Sequence, residues 1–294
     1  MNKKIEGVLT AIVTPFDEEG ALHLASLKQQ VDRQLDAGNG IFCGGTNGEF
    51  FVLNEQEKIT VTETCVQHVQ GRANVVAHIG EISTRETIRL GKQIEKRGVD
   101  AVSVITPYFV PLKQNELISH YTAVADALSV PVFLYNIPAR TGNTLEPQTV
   151  HTLASHPNII GIKDSAGSYE SLSGYLNAVK DIDNFNVLNG PDSLIHKGFV
   201  DGCSACISGL ANVAPREINA IWARFKAGDI EGSRLAQDNV TGLRTDLYSV
   251  GFSPAAVKKA LQLMGYDVGA SRYAVTFSEE QQQQIRQIVT PYLH

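Results

Sequence analysis

Eight short apolar runs recur along this chain with amphipathic stretches between them, and that alternation leaves few architectures open. The runs are Val8 to Val13, Gly40 to Cys43, Val75 to Ile79, Ala101 to Thr106, Val132 to Asn136, Ile159 to Lys163, Asn186 to Asn189 and Cys203 to Ser208. They are nearly continuous in apolar character, as parallel strands covered on both faces are, and do not alternate as half-exposed strands do. Between them Leu27, Val31, Gln34 and Leu35 keep helical spacing up to Ala37-Gly38, and Thr87, Leu90, Gly91 and Ile94 do so up to Gly98. The first seven runs recur at intervals of about 25 to 35 residues, the span of a strand and its returning helix, which predicts an α/β protein with a (β/α)8 TIM barrel. A doubly wound sheet is the competing architecture. When it binds a dinucleotide it carries Gly-x-Gly-x-x-Gly after its first strand, whereas here Thr14-Pro15-Phe16-Asp17 stands there.

After the eighth run the strand pattern stops. Pro215 to Lys226, Ile230 to Tyr248, Pro254 to Met264 and Ser278 to Tyr292 read as helices, and Ser278 followed by Glu279 and Glu280 makes a plausible N-terminal cap. The expected division is a barrel carrying the active site over residues 1–228 and a C-terminal helical region over residues 229–294. No Pro/Ser-rich linker separates the two, so the helical extension is expected to pack on the barrel.

Composition narrows the partners. The net charge is -6 with no block of Lys or Arg, so nucleic acid is not an expected partner. No stretch has the length and apolarity of a membrane span, and Glu6, Pro15 and Asp17 leave no leader-like apolar segment after Lys3 and Lys4, so a cytoplasmic location is expected. Cys203 and Cys206 form C-x-x-C, but no second ligand pair accompanies them, and they sit in a strand rather than opening a helix; buried structural thiols are expected. The histidines form no metal spacing, no metal or other cofactor is expected, and His78 reads as a satisfied interior residue.

Lys163 differs from the other lysines because it closes the run Asn158-Ile159-Ile160-Gly161-Ile162. Its ammonium is therefore expected at the carboxyl end of a buried strand, the face on which barrel enzymes place their chemistry. Burial disfavours the charged form and supplies the free amine that attacks a carbonyl. Gly44-Gly45-Thr46-Asn47-Gly48-Glu49 follows the second strand and can turn backbone N–H groups inward around an anion, a carboxylate rather than a phosphate because no Gly-Lys-Ser/Thr ending is present. A helix starting at Asn54 or Glu55 follows, and Glu49 itself reads as structural. Tyr108 and Tyr135 stand at the ends of the fourth and fifth strands, where a phenol can relay a proton or simply plug the barrel mouth. Arg140 can clamp a carboxylate or remain a surface charge.

Together, Ala11-Ile12-Val13-Thr14-Pro15-Phe16, Gly45-Thr46-Asn47-Gly48-Glu49, Tyr135-Asn136-Ile137-Pro138 and Gly161-Ile162-Lys163-Asp164 resemble, in order and over the whole chain, the class I pyruvate-dependent lyases typified by dihydrodipicolinate synthase and N-acetylneuraminate lyase. The resemblance implies that Lys163 forms a Schiff base with pyruvate or another 2-oxo acid and that Tyr135 and Thr46 relay protons. It also implies that the backbone at Thr46 and Asn47 holds the pyruvate carboxylate, that Ile207 lines the pocket and that Arg140 holds the carboxylate of aspartate semialdehyde. The implied assembly is a homotetramer built from two tight dimers.

Three departures accompany the resemblance. Phe109 stands where the synthase has a tyrosine whose hydroxyl completes the relay across the dimer; Tyr108 replaces it only if the loop rotates. Phe50, Phe51, Glu55, Lys58 and Ile82 occupy the positions expected to bind feedback lysine, with Glu86 alone retained, so inhibition by lysine is not expected. Gly190-Pro191-Asp192-Ser193 departs from the Asp-Glu pair of sialic acid lyase, although Asp192 and Ser193 can still reach hydroxyls. The reading closest to these motifs is a dihydrodipicolinate-synthase-like condensation of pyruvate with aspartate semialdehyde. The rivals are an aldolase that cleaves a 2-keto-3-deoxy sugar acid and a non-catalytic homologue that binds a 2-oxo acid.

Overall fold

The computed structural model describes residues 5–292. Residues 1–4, which include Lys3 and Lys4 of the leader comparison, lie outside the described residues. Eight parallel strands close into a barrel in chain order, β8 pairing back onto β1. They are β1 (Gly7–Ala11), β2 (Gly40–Cys43), β3 (Val75–His78), β4 (Ala101–Ile105), β5 (Val132–Asn136), β6 (Ile159–Asp164), β7 (Asn186–Asn189) and β8 (Ala205–Ser208). Each predicted run coincides with one strand to within two residues at either end; β1 starts one residue before its run and β6 ends one residue after it.

The outer ring is α1 (Leu24–Asp36), α2 (Glu55–Val69), α3 (Thr84–Ile94), α4 (Gln114–Ala127), the short α5 (Pro138–Thr141) with α6 (Pro147–Leu153), α7 (Tyr169–Ala178), α8 (Ile195–Val200) and α9 (Pro215–Lys226). Local chemistry sets their ends. Asn54 accepts from the Glu57 N–H while the Glu57 carboxylate accepts from the Asn54 N–H, a reciprocal cap that starts α2 where the sequence predicts. Three further helices follow: α10 (Ile230–Ser249), α11 (Ser253–Leu263) and α12 (Glu279–Val289), the last opened by a capping box between Ser278 and Gln281. Among the described residues no helix is long and apolar enough to cross a membrane.

Strand periodicity sorts the side chains. Leu9, Ala11, Phe42, Val76, Ala101, Phe133, Leu188, Ala205 and Ile207 fill the barrel interior, while Ile41, Val75, Ala77, Val102, Val104, Leu134 and Ile162 meet the helices outside. A third apolar cluster joins Val8 and Cys206 of the strands to Ile218 and Ile221 of α9, Leu243 and Leu247 of α10, Val257 and Leu261 of α11 and Ile285 of α12. Burying a Leu or Ile side chain stabilises by about 1.5–3 kcal/mol, so this shared cluster holds the C-terminal helices against one side of the barrel. Cys203 and Cys206 are both buried, and burial pushes the Cys203 thiol up to about 12, which leaves it protonated at neutral pH.

Candidate active site

The site follows from register. Phe133 pairs with Gly161 and Tyr135 with Lys163 across β5 and β6, so the second pair sits on the inner face one layer nearer the carboxyl ends. Gly161 is required in that layer, because a Cβ there would stand 2.6 Å from the Phe133 ring and 2.3 Å from the Asn186 carbonyl oxygen. Phe133 thus forms the floor, and Lys163 rises above it, only 4% exposed. The Lys163 Nζ lies 4.0 Å from the centre of the Tyr135 ring and 4.4 Å from that of Phe42. Among the described residues it has no hydrogen-bond acceptor and no carboxylate partner.

The Tyr135 hydroxyl lies 3.2 Å from Thr46 Oγ1, so the phenol at the end of β5 is joined to the loop after β2. That loop is held open by specific contacts. The Thr14 hydroxyl donates to the Gly48 carbonyl at 2.7 Å, and Gly44 takes a φ of 65°, which glycine adopts without strain. Glu49 ends the turn at a φ of 57°, a left-handed conformation that costs a non-glycine residue about 1–2 kcal/mol. Its buried carboxylate accepts from Lys258 Nζ at 2.8 Å and from the Arg272 N–H at 3.1 Å, which offsets that strain and ties the loop to α11. Lys258 also donates to the Thr14 carbonyl at 2.8 Å. As the sequence suggests, Glu49 is structural here. The Thr46 and Asn47 backbone N–H groups have no intramolecular acceptor among the described residues, and the Asn47 Oδ1 is buried without a partner. A Cβ on Gly209 would lie 2.7 Å from the Asn47 side-chain nitrogen, so only glycine at 209 leaves Asn47 its place.

Thr46, Asn47, Tyr135, Arg140, Lys163, Asp192 and Ile207 all line one cavity of about 260 Å³. Tyr108 does not; it is half-buried against Phe50, ring centres 5.9 Å apart. Phe109, 90% exposed at a φ of 76°, points away from any packed neighbour of its own chain. Asp192 lines the cavity with its carboxylate already engaged: Ser208 Oγ and Tyr248 OH both donate to it, the latter at 2.9 Å, and the Leu210 N–H donates at 3.3 Å. Its capacity for substrate hydroxyls is correspondingly small.

The C-terminal helical region supplies five lining residues that the motif reading does not name: Arg244 and Tyr248 on α10, Phe252 before α11, and Ser253 and Pro254 at its start. The C-terminal helices therefore form part of the cavity wall as well as packing on the barrel. The Arg140 guanidinium lies 4.5 Å above the Phe252 ring, which joins α5 to this wall. His78 also departs from expectation. It is interior, its ring 5.9 Å from that of Tyr135 and 4.7 Å from that of Phe50; the Ser103 and Gly80 backbone groups lie beside the ring, but among the described residues neither ring nitrogen reaches a partner in good hydrogen-bond geometry. Burial, with Lys58 and Lys163 nearby, pulls its pKa down to about 3.

Chemically, the arrangement offers an amine without a protein partner among the described residues, a phenol linked to a hydroxyl, and free backbone donors around one cavity with an aromatic floor. Known proteins resemble the chain over most of their length. A 4-hydroxy-tetrahydrodipicolinate synthase of Methanoculleus marisnigri is 33% identical over 288 residues, covering 97% of this chain and 98% of that protein. A DapA-like lyase of Halobacterium salinarum is 35% identical over 91% of this chain and 87% of its own. Among solved structures, dihydrodipicolinate synthase from Thermotoga maritima superposes with a TM-score of 0.93 at 31% identity, covering 99% of both chains. YagE of E. coli K12, a prophage protein of the same family crystallised with pyruvate, gives 0.93 at 29% identity and the same coverage. The dihydrodipicolinate synthetase family profile matches residues 4–291, and the chain belongs to that family.

Proposed function

We propose that this protein is a pyruvate-dependent carbon–carbon lyase or condensing synthase that works through an imine on Lys163. The observation that carries the reading is the Lys163 amine, buried, without a protein partner, and open to a cavity shared with Tyr135 and Thr46. Crystallised family members with pyruvate, YagE and the enzyme of Acinetobacter baumannii, support the choice of 2-oxo acid.

In this reading Nζ adds as the free base to the ketone carbon of pyruvate, whose carboxylate rests on the Thr46 and Asn47 N–H groups. The carbinolamine hydroxyl takes a proton from Tyr135 and leaves as water, giving the iminium. The Tyr135 phenolate then takes a methyl proton to give the enamine, whose carbon attacks the aldehyde carbon while the aldehyde oxygen takes that proton from Tyr135. Arg140 at the cavity wall suits the carboxylate of aspartate semialdehyde, the dihydrodipicolinate-synthase form of the reaction. Borohydride with pyruvate is expected to fix an adduct on Lys163, located by peptide mass spectrometry, and Lys163→Ala is expected to abolish it. An adduct on another lysine, or none, would sink the reading.

A second reading, cleavage of a 2-keto-3-deoxy acid by the same imine, is favoured by Phe109, which has no proton to pass. Phe109→Tyr separates the two: a rise in turnover of aspartate semialdehyde by orders of magnitude marks a synthase lacking its relay, and no change favours the cleavage. We also propose a tight dimer, paired into a tetramer. Phe51, Ile82, Phe109 and Val110 expose large apolar side chains on the loops after three consecutive strands, a distribution that suits a subunit interface. Sedimentation showing a monomer at micromolar concentration would reject it.

A further inference from the structure

We propose that Arg244 is a second anion anchor in this cavity and that the acceptor aldehyde carries an acidic group, carboxylate or phosphate, held jointly with Arg140. The inference rests on the imine reading and the Arg140 role above, and adds Arg244 as a specificity-determining residue for the second substrate.

The argument begins with helix geometry. Gln237, Thr241, Arg244 and Tyr248 are spaced four, three and four residues apart on α10, so they share one face. Both ends of that face are fixed to the mouth of β7. The Gln237 side-chain N–H donates to the Asp192 carbonyl at 2.9 Å, and the Tyr248 hydroxyl donates to the Asp192 carboxylate at 2.9 Å. Arg244 stands between these anchors and lines the cavity, its guanidinium carbon 5.5 Å from the Tyr248 ring centre. A cation on a helix face pinned at both ends is held in place before any ligand arrives.

Charge completes the case. Among the described residues neither Arg140 nor Arg244 has a carboxylate within 4.0 Å, and the Arg244 Nε is buried with no hydrogen-bond partner. Asp192 is the sole carboxylate among the lining residues, and its oxygens already receive Ser208, Tyr248 and Leu210. An anion entering the cavity therefore meets two guanidinium groups with open donors, whereas a neutral aldehyde leaves both unpaired. Unsatisfied donors of this kind discriminate against substrates that lack the matching group.

The test measures condensation with pyruvate for wild type, Arg244→Gln and Arg244→Lys. The acceptors are succinate semialdehyde, aspartate semialdehyde, glyceraldehyde 3-phosphate and glyceraldehyde. Wild type is expected to prefer at least one acidic aldehyde over glyceraldehyde by a hundredfold or more in kcat/KM, and whichever acid is preferred identifies carboxylate or phosphate as the ligand. Arg244→Gln is expected to cut that preference at least tenfold, chiefly through KM, and Arg244→Lys to restore only part of it, since an ammonium lacks the planar fork. If Arg244→Gln lowers all four aldehydes equally, or Arg244→Lys restores everything, the residue is a counter-charge for Asp192 and the proposal is overturned. Failure of borohydride to trap pyruvate on the wild-type enzyme would instead remove the imine reading, whatever the aldehyde preference.

Discussion

Among the described residues Lys58, Lys163 and Lys258 are buried, and the contrast between the last two separates chemistry from architecture. Lys258 on α11 lies 3.9 Å from the Phe16 ring centre, and Lys163 on β6 lies 4.0 Å from that of Tyr135, so both nitrogens face aromatic rings away from bulk water. Lys258 is nevertheless satisfied: Glu49 and the Thr14 carbonyl each accept from it at 2.8 Å. Among the described residues Lys163 has no such partner, and it lines a cavity. Burial pulls Lys258 down to about 8 even with Glu49 beside it. A buried lysine with partners holds the fold, and one without them is available to a substrate.

The largest effect expected from this contrast is functional. Lys163→Ala should reduce turnover by about 10⁴-fold or more, because no other group can carry the imine. Stability measured by urea denaturation should not fall, since no hydrogen bond or ion pair is lost with the side chain. A variant that loses both activity and fold would erase the distinction between the two lysines.

Lys258→Met should do the reverse. It leaves the Glu49 carboxylate buried without its cation, a change that typically costs about 3–5 kcal/mol. Because Glu49 holds the turn carrying Thr46 and Asn47, the KM for pyruvate should rise in the fraction that folds, while trapping on Lys163 persists. Adding Glu49→Gln should recover much of the lost stability in a urea melt. If the double variant is no better than Lys258→Met, the pair is not what supports the loop.

How far these roles can be read in advance depends on the range of the interaction. The strands are legible because each is a local run buried on both faces, and Lys163 is legible because its place at a strand end is fixed by that run. Glu49 could be read as structural, but its partner lies 209 residues along the chain and no local pattern points to Lys258. The helices after β8 are equally legible as helices. Their contribution of Arg244 and Tyr248 to the cavity is not, because the cavity-facing positions run alongside the apolar stripe of Val240, Leu243 and Leu247 that meets the barrel. Asp192 was visible as a polar strand-end residue, yet its commitment to Ser208 and Tyr248 depends on tertiary contacts alone.

His78 provides a smaller test of the same interior. Its folded pKa of about 3 lies below its ordinary 6.5, so the unfolded chain takes up a proton first as pH falls. Stability from the neutral ring is therefore complete above about pH 6.5 and is lost as pH drops toward 3; between pH 7 and pH 5 the loss amounts to about 2 kcal/mol. His78→Leu should remove that share of the acid sensitivity, seen as a smaller change in urea midpoint between the two pH values. An unchanged midpoint difference would mean that the imidazole gains a partner in solution that the static arrangement lacks.

The smallest expected effect concerns how an unpartnered amine is supplied with protons. Lys258 can keep or lose its proton without consequence for a substrate, but every step proposed at Lys163 moves one, and the phenol beside it is joined to a single side chain, Thr46, at 3.2 Å. Thr46→Val removes that hydroxyl while keeping the β-branched shape, so the turn should survive. A net hydrogen bond is worth about 0.5–1.5 kcal/mol, and the corresponding fall in kcat is about three- to tenfold. The loss should appear in kcat with a solvent isotope effect larger than wild type, while the KM for pyruvate, held by backbone N–H groups, stays close to its original value. A change in KM alone would assign Thr46 to carboxylate binding and leave Tyr135 to exchange protons by another route.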